Sequence, residues 1–210
     1  MNGLNGLALV LALVAASPDS SITDVADLPI IESAMTSPHH RAAVRIIGDR
    51  KQGSGVVINV KDGTAYVLTA EHVVDEDRTV KVLWPGVDNA ERLGVVLRTD
   101  VGRDLAIVRV QDSPSRTFML IARPPPDGSQ VEMLGFGRGW FRRWLAIAKE
   151  TKSGDLHVTP GCMCGDSGGA MIHEGRLVGI ISGAYLDKFS RHTDTHGSCE
   201  LRQFVWRKRD

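Results

Sequence analysis

The chain has 210 residues, with 25 Lys+Arg against 25 Asp+Glu, 42% apolar residues, 5% aromatic residues and 3 Cys. Zero formal net charge supplies no global field for gripping a polyphosphate, so nucleic acid is not expected as a partner. Three cysteines without paired CxxC spacing exclude a disulfide-framework miniprotein and a zinc ribbon, and the length leaves room for one sizeable domain or two small barrels.

Residues 7–16 read LALVLALVAA, an uncharged apolar run. It has the length of a secretory h-region and is too short to cross a hydrocarbon core about 30 Å thick. Val14 and Ala16 suit the small positions before a cleavage after Ala16, although residues 2–6 contain no Lys or Arg. Residues 1–16 are therefore expected to be a signal peptide. The mature chain is expected to be secreted or periplasmic, without stable membrane insertion. Residues 17–41 are rich in Ser, Asp, Thr and Pro, the composition of a linker or surface arm.

From Ala42 onward, short β-branched runs alternate with Gly/Asp turns, the pattern of hairpins. Candidate strands cover 43–47, 56–60, 65–69, 79–84, 93–97 and 105–110. A second set covers 118–121, 131–137, 144–148, 156–159, 169–172 and 177–181. No helical pattern of 10 to 15 residues separates the strands, which disfavours a doubly wound α/β fold. The expected fold class is all-β, as two six-stranded antiparallel β-barrels spanning 42–112 and 113–210.

Three short motifs carry chemistry. Gly165-Asp166-Ser167-Gly168-Gly169 sets a serine in a tight turn where small neighbours let a carbonyl carbon approach Oγ. A serine hydroxyl needs a base, and Thr69-Ala70-Glu71-His72-Val73 supplies a histidine just past a candidate strand. Arg103-Asp104-Leu105-Ala106-Ile107 supplies a carboxylate at the start of another. The same serine motif fits the nucleophile elbow of α/β-hydrolases, but the residues after Ser167 read strand, turn and strand. Too few remain for the βα units that would carry a downstream acid and histidine.

The order T-A-x-H-V, D-L-A-I, G-D-S-G-G resembles the trypsin-like, double-barrel serine peptidase family, including its bacterial HtrA-like members without a PDZ domain, over about residues 42–207. The resemblance implies a serine endopeptidase acting on protein or peptide substrates, with the active site in the cleft between the barrels and no cofactor. It implies His72 as general base, Asp104 as its orienting partner and Ser167 as nucleophile. The N–H groups of Gly165 and Ser167 would form the oxyanion hole, and Ser182, Gly183 and Ala184 would pair with an extended substrate. Gly161 occupies the position at the base of the P1 pocket; lacking a carboxylate, it argues against Lys or Arg at P1 and for small or apolar residues. The alternative is a silent pseudoprotease acting as a binding or regulatory module.

Asp166 precedes the nucleophile, where zymogen-type relatives bind a released amino terminus. Residues 45–48 superficially resemble such a cut site, but cutting there would remove the first barrel strand. The sequence names no other partner for Asp166. Neither Cys162 nor Cys164 falls at the family's usual half-cystine position. The candidate disulfide joins Cys162 to Cys199; three thiols, or a metal site from Cys162, Cys164, His196 and Cys199, are the alternatives. Oligomeric state is not legible.

Overall fold

The computed structural model describes residues 38–150, 156–186 and 193–198. The expected signal peptide, almost all of the expected arm, and Cys199 lie outside the described residues.

Six strands close the first ring: β1 (Ala43–Ile47), β2 (Gln52–Lys61), β3 (Thr64–Thr69), β4 (Thr79–Leu83), β5 (Glu91–Asp100) and β6 (Leu105–Val110). They run in the order β1-β2-β3-β6-β5-β4, and antiparallel pairing of β1 with β4 completes the barrel. Residues 45–47 thus hydrogen-bond inside a ladder between β2 and β4. Alternation explains the inward face: Val44 and Ile46, Ala65 and Val67, Val80 and Val82, and Val108 and Val110 are all buried. Asp62 and Gly63 turn the β2–β3 hairpin with φ of 50° and 76°, between paired Lys61 and Thr64. Positive φ at both central residues matches the right-handed twist of the flanking strands, and Asp-Gly tolerates it.

The second ring consists of β7 (Gln130–Gly135), β8 (Arg142–Glu150), β9 (Leu156–Thr159), β10 (Ala170–His173), β11 (Arg176–Leu186) and β12 (Thr193–Ser198). Its order is β10-β11-β12-β9-β8-β7, closed by β7 on β10. Val131, Met133, Trp144, Ala146, Leu156, Val158, Met171 and Val178 fill its interior.

One strand assignment is corrected. Residues 118–121 join no ladder, and the sixth strand of the second ring is β12, with the polar sequence TDTHGS. That sequence has no apolar alternation to mark it. The segment 118–121 alternates as a strand does, with Met119 and Ile121 buried and Phe118 and Leu120 exposed. It is instead a strap between barrels. Met119 N–H donates to the Val57 carbonyl of β2 at 2.9 Å, Leu177 N–H of β11 donates to the Leu120 carbonyl at 2.9 Å, and Ala122 N–H returns a bond to Leu177. Pro124, Pro125 and Pro126 then follow, and residues without an N–H cannot extend a ladder. Met119 and Ile121 belong to a single buried cluster that runs from the first barrel into Leu134, Ala170, Ile172, Leu177 and Ile180 of the second. Burial of about 25 cal/mol per Å² of apolar surface makes such a shared core the main term holding the two barrels together.

Candidate active site

The first barrel positions its groups at strand ends. β3 stops at buried Thr69, and the chain turns into the four-residue helix α1 (Glu71–Val74). Val73 and Val74 are buried, which pins α1 to the barrel and leaves the His72 side chain 40% exposed. At the end of β5 the Asp100 carboxylate accepts the Arg103 N–H, and the Asp104 N–H donates to the Val101 carbonyl at 3.2 Å. This tight turn puts Asp104 at φ 50°, a left-handed conformation that aspartate tolerates better than most residues.

Both Asp104 oxygens face His72. Oδ1 accepts the His72 backbone N–H at 2.9 Å, and Oδ2 lies 2.8 Å from Nδ1. The Ser182 hydroxyl also donates to Oδ2, in a short hydrogen bond. Burial works to raise the Asp104 pKa, but hydrogen bonds from His72 and Ser182 outweigh it and hold the carboxyl below its ordinary range. An ionised carboxylate only accepts, so the ring proton sits on Nδ1 and Nε2 keeps its lone pair. The pair is built as a base.

The second barrel contributes the turn between β9 and β10. Gly165 and Gly168 take φ of 97° and 83°. A Cβ on Gly165 would lie 2.7 Å from the Phe136 carbonyl oxygen, and one on Gly168 would lie 2.0 Å from the Ser54 carbonyl oxygen. Backbone closeness as well as φ thus demands glycine at both. The Cys164 carbonyl accepts the Arg138 N–H at 2.9 Å. In a trans peptide the N–H points opposite to the carbonyl, so the Gly165 N–H is turned away from Arg138. Among the described residues, neither this N–H nor that of Ser167 has a protein acceptor. Two unspent donors two residues apart in one tight turn are available to a developing oxyanion.

Ser167 is half-buried, and its hydroxyl donates to the Ser182 carbonyl at 3.4 Å. No hydrogen bond joins it to His72 in this state. Gly183 and Ala184 continue β11, with Gly183 opposite His196 and Ala184 opposite Thr195 of β12. Gly161 lies half-buried in the segment leading to the turn. The Cys162 thiol is buried and faces the Gly183 carbonyl at 3.9 Å, while Cys164 is exposed; pairing with Cys199 falls outside the described residues.

Asp166 has a partner that sequence reasoning missed. Its side chain is fully buried, and Oδ2 accepts from Arg142 Nη1 at 2.5 Å and from the Met163 N–H at 2.9 Å. Oδ1, turned toward Gly135 and Gly137, has no hydrogen-bond partner. Burial pushes the carboxyl above its ordinary range, against the opposing pull of the Met163 N–H, Arg142 and the Gly137 backbone. Arg142 also stacks on Trp144, with its guanidinium 4.7 Å from the ring centroid. Arg142 and Trp144 belong to a mixed basic and aromatic run that reads, in sequence, as a surface loop leading into a strand.

The trypsin-like peptidase domain family matches residues 53–180 of this chain. No curated protein matches. Among solved structures, the Rv3671c protease in an inactive form is similar with a TM-score of 0.64 and 22% identity, covering 78% of this chain and 85% of that one. A mutant, inactive form of Rv3671c from M. tuberculosis H37Rv gives a TM-score of 0.68 and 21% identity, covering 83% and 92%. The serine endoprotease from Yersinia pestis gives a TM-score of 0.69 and 19% identity; the match covers 88% of this chain but 65% of that one. At these identities the likeness to solved structures carries the double-barrel fold.

Proposed function

The chain belongs to the trypsin-like peptidase domain family, and from that premise we propose that it is a serine endopeptidase using His72, Asp104 and Ser167 through an acyl-enzyme. Membership implies a protein or peptide substrate. The single observation that carries the finer reading is the ionised Asp104 fixing the His72 tautomer across the cleft from a serine flanked by two unspent N–H donors.

Ser167 Oγ attacks the scissile carbonyl carbon as its proton passes to His72 Nε2. The π electrons move onto the carbonyl oxygen, which the Gly165 and Ser167 N–H groups bind. Collapse breaks the C–N bond, and the departing amine takes the proton from Nε2. Water then repeats the sequence on the ester and returns the proton to Oγ. Asp104 stabilises the imidazolium in both halves without taking its proton. Ser182, through its hydroxyl, helps keep that carboxylate ionised and oriented. The strand from Ser182 to Ala184 would bind extended substrate by main-chain pairing. Gly161 offers no negative charge to a basic P1 residue.

Arg142 supplies Asp166 with a positive charge from within the uncut chain, so activity is expected without release of a new amino terminus. Residues 1–16 are proposed as a secretory leader and the mature enzyme as secreted or periplasmic. The test is labelling of the full chain with a fluorophosphonate, mapped by peptide mass. Modification of Ser167 that disappears in His72→Ala is expected; an unlabelled, folded chain would end the reading.

One observation favours a second reading, a silent binding module: the Ser167 hydroxyl bonds Ser182 and not His72. In free enzymes such bonds are often loose and tighten only with substrate bound. Tight peptide binding with neither labelling nor cleavage would select the silent form.

A further inference from the structure

Resting on the peptidase reading, the geometry points to Ser54 of β2 as a positioning residue that holds the oxyanion turn in register with the base. Ser54 is a polar residue 1% exposed, in the first barrel, and all of its polar atoms are used. Its N–H donates to the Ser167 carbonyl at 2.7 Å. Its hydroxyl donates to the Gly165 carbonyl at 2.8 Å and accepts the Phe136 N–H at 2.8 Å. Its carbonyl accepts from Thr69 Oγ1 at 2.6 Å.

These partners are not scattered. Gly165 and Ser167 are the two residues whose N–H groups would receive the oxyanion on the peptidase reading, and Ser54 holds the carbonyl of each. Glycine at φ 97° has free backbone alternatives, so something must stop rotation about its Cα. Arg138 fixes the peptide before Gly165, and Ser54 fixes the peptide after it. Thr69 lies three residues before His72 and ties the same Ser54 to the strand that delivers the base. Ser54 thereby links the nucleophile turn of one barrel to the histidine of the other. The neighbouring glycines make room: a Cβ on Gly53 would lie 2.7 Å from the Ser167 carbonyl oxygen, and a Cβ on Gly168 would strike the Ser54 carbonyl.

Ser54 touches no substrate, so its effect is on geometry. A displacement of about 1 Å at a reacting centre typically costs about 100-fold. In the full-length chain, Ser54→Ala is expected to lower kcat about 10- to 100-fold with KM within about twofold, because the donors matter most once the oxyanion forms. Affinity for a peptide boronate, whose tetrahedral adduct uses the same donors, is expected to fall by a similar factor. Affinity for an uncleavable peptide that makes only strand contacts is expected to stay unchanged. A folded Ser54→Ala with wild-type kcat, or with its whole loss in KM, overturns the inference. If Ser54→Ala fails to fold, Ser54→Cys carries the test: a thiol of similar size bonds weakly, so a reduced kcat at unchanged KM is expected, and wild-type kcat overturns the inference. A wild-type chain that neither cleaves nor labels overturns the peptidase reading and this inference with it. An active wild type with an unimpaired Ser54→Ala overturns the inference alone.

Discussion

The two barrels hold their share of the site by different means. In the first, His72 and Asp104 sit just beyond the ends of β3 and β5, on short turns closed by local hydrogen bonds, and both Asp104 oxygens are engaged. In the second, Ser167 sits on a longer turn that needs two glycines at positive φ, a part-buried Arg142–Asp166 pair with one oxygen orphaned, and bonds reaching over from Ser54. A buried ion pair recovers little net energy but is costly to break. The base is therefore held mainly within its own barrel, with a bond from the Ser182 hydroxyl of β11 added from the other, whereas the nucleophile turn depends on a few buried contacts that could fail while the barrels stay folded.

The largest effect expected falls on both barrels equally. His72→Ala and Ser167→Ala should each lower kcat by about 10⁶, and the double variant should be no worse than either, since the groups act as a unit; additive losses in steady-state assays would mean that they do not cooperate. Next come substitutions that treat the halves differently. Arg142→Met strands the Asp166 carboxylate and should cost about 3 to 5 kcal/mol in urea unfolding. Lys81→Met in the first barrel removes a 3.0 Å pair to Glu91 whose side chains are 60% and 51% exposed, and should change stability by less than about 0.5 kcal/mol. Glycines sharpen the contrast. Gly168→Ala, with its Cβ against the Ser54 carbonyl, should cost more than about 3 kcal/mol. Gly63→Ala meets nothing within 4 Å and should cost only about 1 to 2 kcal/mol of backbone strain.

The smallest effect has opposite signs in the two halves. Asp104 is held below its ordinary value of 3.8, so it contributes stability above pH 3.8 that is lost as pH falls through the folded value. Asp166 is raised above 3.8, so its contribution is present below 3.8 and lost as pH rises through the folded value. Melting temperatures from pH 3 upward should show wild type gaining on Asp104→Asn as pH rises and losing ground to Asp166→Asn. Parallel curves would remove the distinction.

The parts of the fold legible in sequence were those where burial and alternation coincide, such as 105–110, whose inward Val108 and Val110 mark the strand. β12 was illegible because TDTHGS carries no apolar face, and 118–121 misled because a strap buried on one side has the periodicity of a strand. At the site, the histidine, aspartate and serine stand in short motifs with recognisable neighbours. Arg142 does not: it lies 24 residues from Asp166, and the pairing of β7 with β8 on one side and with β10 on the other brings them together. Ser54 left a fainter trace. Glycines flank it for two different reasons: Gly53 lies against the Ser167 carbonyl of the nucleophile turn, whereas Gly55 makes room for the Val44, Ile46 and Val67 side chains of the first barrel core.

The strap at 118–122 also works as a gauge of length. Because inward and outward side chains alternate along it and its bonds go to both barrels, inserting a single residue would turn Met119 or Ile121 toward water and offset one set of bonds relative to the other. The spacing between base and nucleophile is thus partly written in a connector that contributes no chemical group to the cleft.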